Sequence, residues 1–174
     1  MKIIACIDGS VLSEDVCIAG AWVAKKLSKP LTLLHAIEKS NVPTIDNLSG
    51  SIGLGARSEL LKQMTELDEQ RSKIALAMGK ELLNHSESLA MAKGCTSIEK
   101  VQRHGGIVDS ICDLEADARF VVIGRSGENH HNDFQALGSH IENIIRQVHS
   151  PIFITNKGFR EPSSFMLAYD GRET

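Results

Sequence analysis

Three glycines and a serine stand at a spacing that suits the phosphates of a nucleotide. Gly124 and Gly127 follow the apolar run 120–123, and ten residues further on Gly138-Ser139 precedes a helical pattern. Glycine lets a backbone approach a ligand closely, and a helix N-terminus offers unpaired N–H groups and a partial positive charge. Because both features occur together, the pattern predicts a phosphate-binding loop. Gly124 and Gly127 could instead be tight-turn residues, but the third glycine and the helix start in register favour phosphate binding. The chain is therefore expected to bind a nucleotide.

An aspartate ends the first predicted strand, residues 3–7, and is followed by Gly9 and Ser10. In a parallel sheet the ligand crevice lies at the carboxyl ends of the strands, so Asp8 is placed to contact a ligand. Asp8 could instead cap the helix that follows, a role for which Ser10 and Ser13 compete. Both interpretations stay open, and ligand contact is preferred.

Short apolar strands alternate with amphipathic helices along the chain. The predicted strands span 3–7, 31–37, 97–102, 120–123 and 152–155. The predicted helices span 12–27 and 57–92, and two more begin near 107 and 139. This alternation predicts a doubly wound α/β fold, a five-stranded parallel sheet in the order 3-2-1-4-5 with helices on both faces. Strands one and four are then neighbours, so Asp8 and Gly124 converge on one crevice at the switch point.

The long predicted helix, 57–92, follows a segment with the composition of a loop, residues 39–56. Arg71 and His85 interrupt its apolar stripe, and the stripe does not keep strict heptads. Packing of the helix on the sheet is therefore preferred to a coiled-coil surface for a partner. The residues of the stripe are Leu60, Met64, Leu67, Ile74, Met78, Leu82 and Leu89.

Composition and charge exclude several classes of function. The chain has 174 residues and a formal net charge of −3 without a basic stripe, so nucleic-acid binding is not expected. No apolar run approaches the roughly 20 residues of a membrane span, and the first strand is too short for a signal peptide. The cysteines form no C-x-x-C pair, which predicts reduced thiols in a cytoplasmic protein. They are Cys6, Cys17, Cys95 and Cys112.

The sequence shows no recognisable catalytic or metal-binding set. The loop at Gly124 is not the Gly-x-Ser-x-Gly elbow of a hydrolase, and no Walker lysine follows a glycine loop. His130 and His131 stand together in a polar stretch. Adjacent histidines cannot easily bind one ion, so a solvated loop is preferred there to a metal site.

The last residues repeat the opening of the chain. Residues 167–172 align with residues 5–10, so an apolar strand, an aspartate and a glycine recur in register. This repeat predicts one complete domain, residues 1–158, with residues 159–174 as a linker and the first strand of a second, truncated copy. The alternative is a sixth, C-terminal strand with a chance Asp-Gly turn.

Together these motifs resemble the universal stress protein family over about residues 1–158. Gly124, Gly127, Gly138 and Ser139 match its Gly-x-x-Gly and Gly-Ser pattern, with one more intervening residue than the family has. The strand ends at residues 8–10 and 35–36 match as well. The resemblance is weakest over residues 40–60.

The resemblance implies an adenine nucleotide alpha hydrolase-like fold that binds ATP or AMP, with or without Mg²⁺. Asp8 would face the adenosine half of the ligand. Arg125 either adds a charge-assisted phosphate contact or is solvated. By the same resemblance, the other binding residues are Cys6, Ile7 and Ala36 at the base, Ile123 and Gly124 at the ribose and first phosphate, and Gly127, Gly138, Ser139 and His140 at the phosphates.

The implied function is that of a sensor or regulator of the stress response. The resemblance also implies a homodimer, or pairing with a tandem copy, through strand five, whose apolar residues 152–154 need cover. One alternative is a slow ATP hydrolase or nucleotidyl transferase, ranked lower because catalytic residues are not recognisable. The other is a dimerising interaction module that binds no nucleotide, ranked lower because the glycines are present.

Overall fold

The computed structural model describes residues 1–38, 54–125, 139–168 and 171, without the side chains of 54–58 and 139–140. Its strands are β1 (Lys2–Cys6), β2 (Leu31–Ile37), β3 (Ile98–His104), β4 (Ala118–Gly124) and β5 (Ile152–Thr155). Its helices are α1 (Ser13–Leu27), α2 (Leu54–Ala92), α3 (Ile107–Leu114) and α4 (Ser139–Gln147). The strands pair in parallel in the order β3-β2-β1-β4-β5, which confirms the predicted sheet.

Alternate residues of the central strand enter two different cores. Ile3 and Ala5 pack in a core with residues of α1 and α2, whereas Ile4 and Cys6 pack in a core with residues of α3 and α4. Successive side chains of a strand point to opposite faces, so helices on both faces require apolar residues at every position. This requirement explains why the run 3–7 is apolar throughout.

The 39-residue helix α2 has two halves with different surroundings. In residues 79–92 the helix lies on the sheet and buries Leu83 and Ala90. In residues 59–78 every side chain is exposed or half-buried, and Met78 is 68% exposed. The prediction that the apolar stripe packs on the sheet is therefore correct for the second half and wrong for the first.

Gly79 marks the point where α2 meets the sheet. A Cβ atom at this position would lie 2.2 Å from Gln102 Nε2 and 2.6 Å from His35 Cδ2. Gln102 Nε2 also donates a hydrogen bond to the carbonyl oxygen of Leu76, at 3.2 Å. The helix therefore approaches β2 and β3 this closely because the position carries no side chain.

The segment after β5 turns back over α1. The two carboxylate oxygens of Asp15 accept hydrogen bonds from Gly158 N at 3.0 Å and from Phe159 N at 2.8 Å. The ring of Phe159 packs with Trp22 and Phe153, with ring centroids 6.0–6.1 Å apart. These contacts attach the end of the domain to α1, and no sequence pattern indicated them.

The described residues beyond this segment have no regular secondary structure. Phe165, Met166 and Leu167 are 94%, 92% and 78% exposed. No sixth strand joins the sheet within residues 159–168. That residues 159–174 begin a second copy stays a prediction, since part of the repeat lies outside the described residues, as does most of the predicted loop 39–56.

Candidate functional site

The carboxyl ends of β1 and β4 lie side by side at one edge of the sheet. Ala5 pairs with Val122, so the residues that follow each of them reach this edge together. The chain proceeds from β1 to β2 on one side and from β4 to β5 on the other. This edge is therefore the switch point. Asp8 lies just after β1 there, and Gly124 is the last residue of β4.

Asp8 organises the turn between β1 and α1. Its Oδ1 accepts hydrogen bonds from Ser10 N and Ser13 Oγ, both at 3.0 Å. Ser13 Oγ accepts a further bond from Gly9 N at 2.9 Å, and Gly9 has a φ of +82° that glycine adopts without strain. The helix N-cap is Leu12, so the alternative in which Asp8 is the cap is wrong. The three polar residues instead share one network ahead of the helix.

Cys6, two residues before Asp8, keeps its proton mainly because it is buried. Burial, and after it the negative charge of Asp8, raises the pKa of the Cys6 thiol to about 12. A thiol needs to ionise before it acts as a nucleophile, so Cys6 supplies apolar surface rather than reactivity. Asp8 itself is exposed, and among the described residues its Oδ2 has no hydrogen bond.

His35 ties the end of β2 to the end of β1. Its Nδ1 donates a hydrogen bond to the carbonyl oxygen of Ile7 at 2.7 Å, which places the proton on Nδ1 because a carbonyl oxygen only accepts. Ile7 N donates in turn to the carbonyl oxygen of Leu34 at 2.8 Å. His35 therefore joins the ends of two neighbouring strands. The next residue, Ala36, lies half-buried at the same edge.

Gly124 allows close packing of α1 against the end of β4. A Cβ atom there would lie 3.2 Å from Leu12 Cβ and 3.4 Å from Val16 Cγ2, so the start of α1 packs directly on this backbone. The sequence interpretation had considered the approach of a ligand and a tight turn, but not this packing contact. Beside it Ile123 is buried, and Arg125 N donates to the carbonyl oxygen of Thr155 at 2.9 Å.

The rest of the predicted phosphate loop lies outside the described residues. This applies to Gly127 and Gly138, to the pair 130–131, and to the side chains of Ser139 and His140. Helix α4 begins at Ser139, as predicted. Its first N–H groups therefore follow the loop directly.

The described residues offer little other chemistry. They contain no group of three His, Cys, Asp or Glu residues placed to hold a metal ion. None of their helices has the length and apolar composition of a membrane span. All four cysteines are free thiols. A cleft of about 380 Å³ between Lys25 and Thr96 lies at the opposite edge of the sheet, where β2 and β3 begin.

Comparison with known proteins identifies a family. The model of the universal stress protein family matches residues 1–156. The chain is 31% identical over 172 residues to the universal stress protein Slr1230 of Synechocystis sp. (strain PCC 6803), a match that covers 98% of this chain and 60% of that protein. The chain thus spans about 60% of the length of this curated relative.

Solved structures share the fold at lower sequence identity. A universal stress protein in complex with cAMP is 19% identical with a TM-score of 0.60, over 91% of this chain and 98% of that one. One from Archaeoglobus fulgidus in complex with dAMP is 19% identical with a TM-score of 0.55, over 88% and 96%. The fold is the adenine nucleotide alpha hydrolase-like arrangement of five parallel strands. From β1 to β5, the chain belongs to the universal stress protein family.

Proposed function

We propose that this chain binds an adenine nucleotide, ATP or AMP, and acts as a sensor or regulator of the stress response. The observation that carries the proposal is the meeting of β1 and β4 at the switch point, where open α/β sheets bind ligands. Asp8 and the glycine-rich loop begin at this edge, and α4 starts where the loop ends. The family structures with cAMP and dAMP support adenine as the base.

The base is proposed to lie against the strand ends at Cys6, Ile7 and Ala36. The backbone N–H of Ile7 already bonds to the carbonyl oxygen of Leu34, and its carbonyl oxygen accepts from His35. Cys6 keeps its proton because its pKa is raised to about 12. We therefore expect this wall to contact the base through apolar surface.

The ribose is assigned to Asp8. Its Oδ1 is held by two hydrogen bonds, which orient the carboxylate, while Oδ2 has no bond within the described part of the chain. An ionised carboxylate only accepts hydrogen bonds, and ribose hydroxyls donate them. Ile123, Gly124 and Arg125 are proposed to lie beside the ribose and the first phosphate.

The phosphates are assigned to the second part of the loop and the start of α4. Free N–H groups and the partial positive charge of a helix N-terminus favour phosphate oxygens, with or without Mg²⁺. The loop has one more residue than the family pattern. The number of phosphates that it accepts is therefore the quantity to measure. The proposed residues are Gly127, Gly138, Ser139 and His140.

The proposal is tested first on protein purified without added nucleotide. The protein is denatured and the released small molecules are identified by chromatography and mass spectrometry. ATP, ADP or AMP near one per chain is the expected result, and an excess of ADP would indicate hydrolysis. A protein that releases nothing and shows no heat of binding with ATP or AMP would contradict the proposal and favour an interaction module.

Two variants locate the site. Gly127→Glu puts a negative charge into the proposed phosphate loop and should abolish binding while the circular dichroism spectrum stays unchanged. Thr96→Glu adds the same charge at the opposite edge of the sheet and should bind as the unaltered chain does. If the two variants bound the nucleotide with equal affinity, the loop would not be part of the binding site.

The edge strand β5 is proposed to pair with a second copy of the domain. β5 pairs with β4 on one side, no other described strand lies on its other side, and Ile154 is 39% exposed. The copy would come from another chain, or from a tandem domain that begins within residues 159–174. Ile154→Lys should lower the molar mass measured by light scattering, and an unchanged mass would contradict pairing at this edge.

A further inference from the structure

The first half of α2 projects from the domain with apolar side chains on its surface. Residues 59–78 span about 30 Å at 1.5 Å per residue, and no other described element buries them. Exposed apolar side chains along such a length of helix indicate an interaction site. Its exposed large side chains are Leu60 (42%), Leu61 (47%), Leu67 (52%), Ile74 (59%), Leu76 (40%) and Met78 (68%).

Within this half, six residues form a regular line, here named the α2 seam. They are Leu60, Met64, Leu67, Arg71, Ile74 and Met78. Their successive intervals are 4, 3, 4, 3 and 4 residues, the spacing of the contact positions in a coiled coil.

The heptad spacing ends where the helix reaches the sheet. The next apolar residue of the stripe, Leu82, follows Met78 by four residues instead of three. Gly79, which brings α2 onto β2 and β3, stands directly after Met78. The strict pattern therefore covers only the half that the sheet does not bury. When the apolar stripe is taken over all of α2, the heptad spacing of residues 60–78 is not recognised.

The α2 seam is complementary to itself when two helices run in opposite directions. A two-fold axis at position 69 sets Leu60 opposite Met78, Met64 opposite Ile74 and Leu67 opposite Arg71 of the second copy. A two-fold interface uses the same patch on both copies. The α2 seam meets this condition because its residues keep the same spacing when the helix is read in the opposite direction.

Charge selects the antiparallel direction. Arg71 forms an ion pair with Asp68 of its own helix at 3.8 Å, and both side chains are more than half exposed. In the antiparallel pair each Arg71 lies next to Asp68 of the second copy as well, so two guanidinium groups and two carboxylates meet with no net charge. A parallel pair in register would put the two Arg71 side chains into one layer, and like charges there repel.

We propose that two copies of this chain associate through the α2 seam as an antiparallel helix pair. The proposal does not depend on nucleotide binding, and the seam is a different surface from β5. A chain with two separate two-fold interfaces can build tetramers or longer assemblies.

The test isolates the seam from β5. In the Ile154→Lys background, which removes the proposed β5 contact, sedimentation equilibrium should still show a concentration-dependent dimer. Adding Ile74→Lys should weaken that dimer at least about tenfold, because a lysine then enters the apolar seam. Met91→Lys is the matched control, since Met91 is 56% exposed on the same helix but outside the seam. This control should leave the dimer unchanged.

A charge exchange tests the direction of the helices. Arg71→Glu alone should weaken the dimer, since four carboxylates then meet at its centre. The double variant Asp68→Arg with Arg71→Asp restores two charges of each sign and should recover most of the association. A chain that stays monomeric in the Ile154→Lys background, equal effects of Ile74→Lys and Met91→Lys, or no recovery by the double variant would overturn the proposal.

Discussion

The two halves of α2 have similar apolar stripes and opposite surroundings. Leu83 in the second half is 3% exposed, whereas Ile74 in the first half is 59% exposed. The helix has 39 residues, about 58 Å, while β2 beneath it has seven residues, about 23 Å. A helix this much longer than the sheet cannot bury its whole stripe. An apolar stripe therefore predicts that a helix packs against another surface. Only the three-dimensional structure shows which part of the stripe the sheet covers.

Hydrogen exchange should separate the two halves most strongly. At low protein concentration we expect the amides of residues 82–90 to open only with global unfolding, because this part packs in the core. The amides of residues 62–74 should open at a free energy lower by about 3 kcal/mol or more. Mass spectrometry of peptides from each half measures the difference. Equal protection would mean that the two halves unfold as one unit.

Two substitutions that shorten a side chain test whether the two halves of α2 contribute differently to stability. Leu83→Ala should lower the free energy of unfolding by about 3 kcal/mol, because it leaves a cavity in the core between α2 and the sheet. Ile74→Ala removes a similar side chain from the exposed half and should change the free energy of unfolding by less than about 0.5 kcal/mol. Urea denaturation of dilute protein measures both values. A large loss from Ile74→Ala would place that side chain in a packed environment.

Gly79 is the boundary between the halves and should tolerate no branched side chain. Gly79→Val should lower the free energy of unfolding by about 2 kcal/mol, since its Cβ would overlap Gln102 and His35. The better helix propensity of valine offsets only a few tenths of this loss. Ala77→Val, at an exposed position two residues earlier on the same helix, is the control and should cost no more than about 0.5 kcal/mol. Wild-type stability of Gly79→Val would show that α2 can shift on the sheet.

The smallest expected effect on stability is the loss of one ion pair, and it should differ between the two halves of α2. Lys100 on β3 binds Glu87 and Asn84 of the second half, and the Lys100 and Glu87 side chains are 34% and 25% exposed. Glu69 and Lys73 form an exposed pair within the first half at 2.7 Å. Glu87→Gln should cost about 1 kcal/mol and Glu69→Gln about 0.3 kcal/mol. Added salt should shrink the second value further, and thermal unfolding at two salt concentrations measures this.

The position of the candidate site in the sheet was predictable from the order of strands and helices. The apolar run 3–7 and the run 120–123 identify two buried strands, and the βαβ alternation makes them neighbours. Asp8 and Gly124 follow these strands, so their shared edge follows from sequence. The network of Ser13 with Asp8 and Gly9 was only partly foreseen, because Asp8, Ser10 and Ser13 each have the chemistry of a cap.

By itself the amino-acid sequence determined the element order, the strand order and the edge of the sheet from which Asp8 and Gly124 emerge. These depend on local periodicity and on the handedness of crossovers, both of which a single chain reveals. Only the tertiary structure decided that Gly124 makes room for Leu12 and that Asp15 holds the segment after β5. It alone also decided which half of α2 stays exposed. These contacts join residues far apart in the chain, and their distances depend on how whole elements pack, which no local pattern of residues contains.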